Sequence, residues 1–354
     1  MYLQTFGLKR HPFSMTSDPA VLFLSAGHRE ALAGLCYGLL DRKGLLVMLG
    51  HAGTGKTTLL AKAMQTVPSG SMEFAAVQNP TLTPAEFLEA VLLAFEIREV
   101  PASKPQRLAL LQGRLLDLYT DGTIATLLLD EAHKLSPEAL EEVRLLGNLE
   151  HRGEKLLQIV LAGQEELRAV LNRAEMAQLK QRVAVRLSLE PLSPPEVAQY
   201  VRHRWASAGG IDNLPFPPAA LEHVARFSQG IPRLVNVICD TALLMACGER
   251  STRVEARHVI DSCVDLDLVC PTAKRVLPAA AAPSLELASP KAVAQESPMP
   301  TLMGYQARAE NRSRWALWSI RPRREKEPEQ HGQSSERIAS SAGRTPGTSA
   351  ALAE

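Results

Sequence analysis

Polarity along residues 1–269 alternates short, continuous apolar runs with longer stretches whose apolar positions recur at helical spacing. The runs at Leu45–Leu49, Phe74–Val77, Leu127–Leu129, Leu156–Ala162 and Val185–Leu189 read as strands. Strands that alternate with amphipathic helices predict an α/β domain with a parallel sheet. Start signals mark the helices. Thr83-Pro84-Ala85-Glu86 is a capping box with proline at the first helical position, and Ser136-Pro137-Glu138 is a similar, incomplete start. Beyond Leu189 the strand signals stop. Ser193-Pro194-Pro195-Glu196 opens a helix through about Ala208, and more helices are expected at Pro218–Ser228, Pro232–Cys247 and Val254–Val264. A small all-helical domain therefore follows the α/β domain, and no repeat period appears.

Composition changes the picture only near residue 270. From there to Glu354 the chain is dominated by Ala, Pro, Ser, Arg and Glu, as in VLPAAAAPSLELASPKAVAQESPMP. Such a segment buries too little apolar surface to offset its ordering entropy, so a disordered tail is expected. The tail carries 12 basic and 8 acidic residues, against 27 and 30 in the body, so a slightly basic tail follows a slightly acidic body.

Several classes are disfavoured. No charge-free apolar run approaches the ~18 residues needed to cross a bilayer. The opening MYLQTFGLKRHPFS lacks a basic stretch followed by an apolar one, so no signal peptide is read and a cytoplasmic chain is expected. The cysteines (Cys36, Cys239, Cys247, Cys263, Cys270) are odd in number and never spaced as CxxC, which argues against disulfides and zinc. Cys36, Cys239 and Cys263 are expected to be buried thiols.

The candidate chemistry begins at Gly50-His51-Ala52-Gly53-Thr54-Gly55-Lys56-Thr57, which fits the phosphate-binding loop GxxxxGK[ST]. It follows the apolar run LLVML and opens the helix TTLLAKAM, which places Thr58 in the same turn. Glycines let successive N–H groups curl toward phosphates, Lys56 reaches the β- and γ-phosphates of ATP, and the Thr57 hydroxyl ligates Mg²⁺. Farther on, Thr126-Leu127-Leu128-Leu129-Asp130-Glu131 is a buried strand ending in two carboxylates. Asp130 is expected in the Mg²⁺ shell as a Walker-B aspartate, and Glu131 as the group that polarises attacking water. Ala132-His133 completes a helicase-like DEAH, but no second domain of that kind is evident.

Other candidates depend on the fold. Asn79 ends the second strand, where its amide reaches Glu131 or merely serves a turn before Pro80. Gln164 follows LLQIVLAG and either orients water against the γ-phosphate or caps a helix on the surface. Arg233, in Gly230-Ile231-Pro232-Arg233, begins a helix from which a guanidinium can fold over the nucleotide. Arg182 and Arg186, in QLKQRVAVRL, are both candidates for an arginine finger given to a neighbouring subunit, or are ordinary surface arginines.

Residues 1–268 resemble the ExeA/GspA-type AAA+ ATPases of bacterial secretion, pilus and exopolysaccharide systems. The motifs that carry the resemblance run in order. They are Phe6-Gly7-Leu8, Pro12-Phe13, Asp18-Pro19, Phe23-Leu24-Ser25, His28-Arg29-Glu30-Ala31-Leu32, GTGKTT, LLLDEAHKL, LLGNLE, LQIVLAGQEEL and GIPRLVNVICD. The resemblance implies a P-loop AAA+ core with sheet order 5-1-4-3-2, a helical lid, and ATP at their junction. It divides the chain into an N-terminal adenine-pocket segment (1–40), an α/β core (41–190), a lid (191–268) and a tail (269–354). Pro12, Phe13 and Leu24 are the residues expected against the adenine. Gln164 would be sensor 1, Arg233 sensor 2, and Arg182 or Arg186 the finger, so the active species would be a ring or filament of identical subunits. Long members of the family continue into a transmembrane helix and a peptidoglycan-binding domain, where this sequence has its low-complexity tail.

The expected function is Mg²⁺-dependent ATP hydrolysis that assembles or remodels a cell-envelope export machine, with an envelope protein as partner. Two rivals remain: a transposition-type AAA+ regulator that oligomerises on DNA, and a slow nucleotide switch. The run 308–326 interleaves Trp315, Leu317, Trp318 and Ile320 with arginines. It reads as an anchor at the periphery of the inner membrane, as a partner-binding segment, or as part of a solvated tail.

Overall fold

The computed structural model describes residues 2–68, 70–78, 81–210 and 214–268. The chain divides into two units, Met1–Ala279 and Ala280–Glu354, and every described residue belongs to the first. Asn79, Cys270 and the run 308–326 lie outside the described residues.

Five parallel strands form the main sheet: β1 (Leu45–Gly50), β2 (Met72–Val77), β3 (Ile124–Leu129), β4 (Leu157–Gly163) and β5 (Val183–Leu189). Their spatial order is β2-β3-β4-β1-β5, the order the family resemblance implies. Every residue of the three central strands is buried, which explains why they are almost wholly apolar, with one buried polar residue in β3 (Thr126) and one in β4 (Gln158). Alternate side chains enter opposite faces. Val47, Leu127 and Ile159 join a core under α3 (Pro84–Ala94), α4 (Lys104–Thr120) and α5 (Pro137–Leu146). Met48, Leu128 and Val160 join a second core under α1 (Ala26–Leu40) and α2 (Lys56–Thr66). The strands β2 and β5 sit at the edges and are partly exposed; both begin two residues before the runs legible in sequence, and the buried β3 begins three residues before its run.

The local start signals act as their chemistry dictates. The Thr83 backbone N–H donates to the Glu86 carboxylate at 2.8 Å, and the Ser193 N–H donates to Glu196 at 2.9 Å. Between α5 and β4 the chain forms a two-stranded ribbon, Glu150–His151 with Glu154–Lys155. A short helix, α6 (Glu165–Leu171), follows β4.

Four helices complete the described chain: α7 (Pro194–Ser207), α8 (Pro218–Ser228), α9 (Pro232–Gly248) and α10 (Ala256–Asp265). Their core includes Tyr2, Leu8 and Phe13 from the other end of the chain. The expected 1–40 segment is therefore not one piece. Its first residues complete the helical core, whereas α1 covers the sheet. Arg204 fixes the crossing, since its guanidinium donates to the carbonyls of Pro12 (2.6 Å) and Ser14 (2.9 Å). Cys239 and Cys263 are buried in the helical core, but Cys36 is only half-buried. Among the described residues no helix is long and apolar enough to cross a membrane.

Candidate functional site: a phosphate loop between sheet and helices

Strand register brings the polar residues together. Leu49 of β1 lies opposite Gly163 of β4, and Leu161 of β4 lies opposite Leu129 of β3. The residues that follow these strands, Gly50 onward, Gln164, and Asp130-Glu131, must then share one edge of the sheet, outside the carboxyl ends of the strands.

The loop after β1 turns on Gly53 (φ +81°) and Gly55 (φ +98°), a backbone region that favours glycine. Its cradle is filled from the helical side. A Cβ added to Gly53 would meet the Arg233 Cβ at 2.7 Å, and the Arg233 N–H donates to the Gly53 carbonyl at 3.3 Å. Lys56 is buried, and its ammonium donates to the carbonyls of Gly50 (2.8 Å) and His51 (2.9 Å). Burial holds its pKa below the usual lysine value, against the opposing pull of Glu131, Asp130 and Glu166.

The loop is tied to β3 by one short bond. The Thr57 hydroxyl donates to the Asp130 carboxylate at 2.5 Å, and the other Asp130 oxygen accepts the Glu131 N–H at 2.9 Å. Glu131 itself adopts φ +54°, a left-handed conformation that costs a non-glycine residue roughly 1–3 kcal/mol. Its carboxylate lies 3.4 Å from the Lys134 ammonium and 3.6 Å from His133 Nε2. His133 also meets Gln164 twice, at the backbone nitrogen (3.5 Å) and at the side-chain amide (3.3 Å).

These groups surround a cleft of about 370 Å³, within the range of small-molecule sites. Ala52–Thr58, Glu131 and Gln164 line it from the sheet, and Arg233, Tyr200 and Asn236 line it from the helices. The N-terminal segment forms the remaining wall, but not through the residues expected. Met15, Val21, Leu22 and Phe23 face the cleft and Phe13 and Leu24 do not, whereas Pro12 lines an adjoining cavity of about 500 Å³ that shares Ser14, Val21 and Arg204 with it. Phe13 is buried edge-on against Phe216 in the helical core, with centroids 6.0 Å apart. The Pro12 carbonyl is taken by Arg204, and Leu24 packs into the core beneath α1 and α2. Apolar character alone does not tell which side of a crossing segment faces a ligand.

Arg182 and Arg186 also lie elsewhere. Both are exposed on or before the edge strand β5; Arg182 donates to the Arg144 carbonyl (3.2 Å) and Arg186 to the Lys180 carbonyl (3.3 Å). Arg182 precedes the amino end of β5, whereas the cleft lies at the carboxyl ends. Neither lines the cleft of its own chain.

Two histidines were not assigned roles from sequence. His133 was read only as a letter of DEAH. His28 is buried under the loop, where Nε2 meets the Thr54 carbonyl at 2.9 Å and Nδ1 meets the Ser25 hydroxyl at 2.7 Å. Burial holds the His28 pKa below the usual value, outweighing the Thr54 carbonyl and Glu196. Because the unfolded chain then binds the proton more readily, stability is lost as pH falls from about 6.5 through the lower folded value. Thermal melts between about pH 7.5 and about pH 5.5 should show a steeper loss for wild type than for His28→Gln. Equal slopes would show that His28 does not carry this dependence.

The site's geometry matches what a comparison of sequences finds. Residues 40–171 match the AAA domain. The chain is 42% identical over 258 residues to General secretion pathway protein A of Aeromonas hydrophila, covering 72% of this chain and 46% of that protein. The chain carries an AAA domain. It spans a little under half the length of that curated relative. Among solved structures, Cdc6p of Pyrobaculum aerophilum superposes with a TM-score of 0.58 at 18% identity, covering 72% of this chain and 70% of that one. Drosophila ORC bound to DNA gives 0.58 at 20% identity, covering 75% and 66%. At such identities the likeness is one of fold alone, the P-loop NTPase fold of the AAA proteins.

The residues fit a nucleoside triphosphate with Mg²⁺. Gly53 and Gly55 give the loop the left-handed turns by which its N–H groups curl toward phosphates, Lys56 offers a buried cation, and Thr57 with Asp130 offers two hard oxygen donors already in contact.

Proposed function

We propose that this AAA protein binds ATP with Mg²⁺ and hydrolyses it, as an oligomer, to assemble or remodel a bacterial cell-envelope export system from the cytoplasmic face of the inner membrane. The observation that carries the ATPase reading is the 2.5 Å bond from Thr57 to Asp130, which sets the phosphate loop against the β3 carboxylates. Relatedness to General secretion pathway protein A supports the envelope role.

In this reading Thr57 and Asp130 hold the Mg²⁺, which when bound neutralises charge on the phosphates. The loop N–H groups from Gly53 to Thr58 and the Lys56 ammonium hold the phosphate chain. Glu131 accepts a proton from the attacking water, and the Gln164 amide orients that water. Arg233, anchored by its own backbone bond to Gly53, carries the state of the phosphates into the helices. Met15, Val21, Leu22 and Phe23 take the adenosine end, with Pro12 on the wall of the adjoining cavity. Arg182 and Arg186 are exposed and each spends one donor on a carbonyl of its own chain, so in this reading the remaining guanidinium donors of one of them reach a neighbour's site.

The test is ATP turnover of the full chain across protein concentration. Turnover per subunit should rise with concentration, and Arg182→Ala or Arg186→Ala should flatten the rise while leaving ATP binding intact. Concentration-independent turnover in wild type would remove the oligomer from the reading. Salt-sensitive, ATP-dependent binding to duplex DNA, followed by fluorescence anisotropy, would replace the envelope role with the DNA-targeting one.

A further inference from the structure

His133 lies between the two residues that the reaction needs to coordinate, and no role has yet been given to it. Its ring is largely buried, with 12% of the side chain exposed, on the helical turn Ala132–Lys134 that follows Glu131. That turn is held in place from both sides. Ala132 is fully buried, and a Cβ on Gly163 would come within 3.3 Å of the His133 backbone nitrogen.

The hydrogen-bond chemistry assigns the ring proton. The Gln164 backbone N–H can only donate, and it faces His133 Nδ1 at 3.5 Å. A neutral ring that accepts at Nδ1 carries its proton on Nε2. Two groups compete for that single donor. The Gln164 amide nitrogen lies 3.3 Å away and, because it can only donate, the amide must make a half-turn of its terminal torsion to bring its oxygen there as the acceptor; the Glu131 carboxylate lies 3.6 Å away. Lys134 also reaches Glu131, at 3.4 Å, but its side chain is 44% exposed and solvent screens it.

We propose that His133 is a positioning residue whose Nε2–H donates to Gln164 in the absence of a terminal phosphate and turns its hydrogen bond to Glu131 when Gln164 swings toward the γ-phosphate. The inference rests on the ATPase reading of this cleft. It gives that reading a link it lacked: contact with the terminal phosphate at the end of β4 becomes orientation of the carboxylate at the end of β3. Without a terminal phosphate, Gln164 keeps the donor and Glu131 is left to Lys134 and solvent.

The imidazole nitrogens of the full chain, ¹⁵N-labelled and observed by NMR, test this directly, with His133→Ala identifying the His133 signals. The expected result is an Nε2–H tautomer whose Nε2 resonance differs between Mg²⁺ with ADP and Mg²⁺ with a non-hydrolysable ATP analogue. An Nδ1–H tautomer, or identical signals in the two states, overturns the proposal. Steady-state kinetics supply the second arm. His133→Ala should lower kcat about tenfold with KM for ATP changed less than about twofold, and the loss in the double variant with Gln164→Ala should be smaller than the product of the single losses. Losses that multiply, or an unchanged kcat in His133→Ala, overturn it as well. Should wild type show no Mg²⁺-dependent turnover while the ring signals still change between the two nucleotides, the hydrolysis reading falls and the His133 link stands.

Discussion

Replacing Glu131 with Gln is expected to lower ATP turnover by about 10²–10⁴-fold while ATP affinity changes only a few-fold. Gln keeps the size of the side chain and a hydrogen-bonding oxygen, but it cannot take a proton from water. The backbone has little reason to move. The left-handed turn at Glu131 (φ +54°) is held by the Glu131 N–H bond to Asp130 and by the buried Ala132, neither of which the substitution touches. The Thr57–Asp130 contact, where Mg²⁺ would bind, is likewise left in place. The split between turnover and binding is what distinguishes this residue from Lys56, whose loss should weaken binding itself because its ammonium is the buried cation of the loop. Turnover under saturating ATP, beside a direct titration of a fluorescent ATP analogue, checks both numbers. Turnover in Glu131→Gln within about threefold of wild type would exclude Glu131 as the proton acceptor.

Gly230→Ala should be the most destabilising of the small substitutions, by about 3–5 kcal/mol, with Tm lower by roughly 6–20 °C. Two effects add. Gly230 sits at φ +74°, where a side chain costs about 1–2 kcal/mol. An added Cβ would also come within 2.0 Å of the Leu192 carbonyl oxygen and 2.9 Å of its carbon, atoms of the main chain that no rotamer change can move aside. The same two residues share a backbone bond, Leu192 N–H to the Gly230 carbonyl at 2.9 Å, so relief of the clash breaks it. Gly122→Ala is the control: its φ is +75°, yet nothing lies within 4 Å of the added Cβ, so only the backbone cost remains. The consequence reaches the cleft. Gly230 leads through Ile231 and Pro232 into α9, and Arg233 there is bonded to Gly53 of the phosphate loop. Protein that still folds at low temperature should therefore bind ATP more weakly, which a titration below the transition measures. Matching melts for the two alanine variants would show that the close approach to Leu192 costs nothing.

Sequence alone determined the features whose physics is local. A buried parallel strand is mostly apolar on both faces, so β1, β4 and the second half of β3 were visible as runs. The capping residues Thr83 and Ser193 act on the next turn, so their helices declared themselves. The phosphate loop needs glycines, a lysine and a threonine within eight consecutive residues, and a β-strand before it. Tertiary structure decided everything that depends on which distant segments meet. The sheet order places β4 between β1 and β3, and only that brings Gln164 to His133, 31 positions away. The crossing of the N-terminal segment over α7 buried Phe13 inside the helical core and left Phe23 at the edge of that core, where it also faces the cleft, although both are apolar and ten residues apart. Burial of His28 under the loop arises the same way, through contact with Thr54, 26 positions on. Periodicity records how a side chain is oriented on its own element; the partner across the gap is chosen by packing, where many weak contacts between remote segments are settled together.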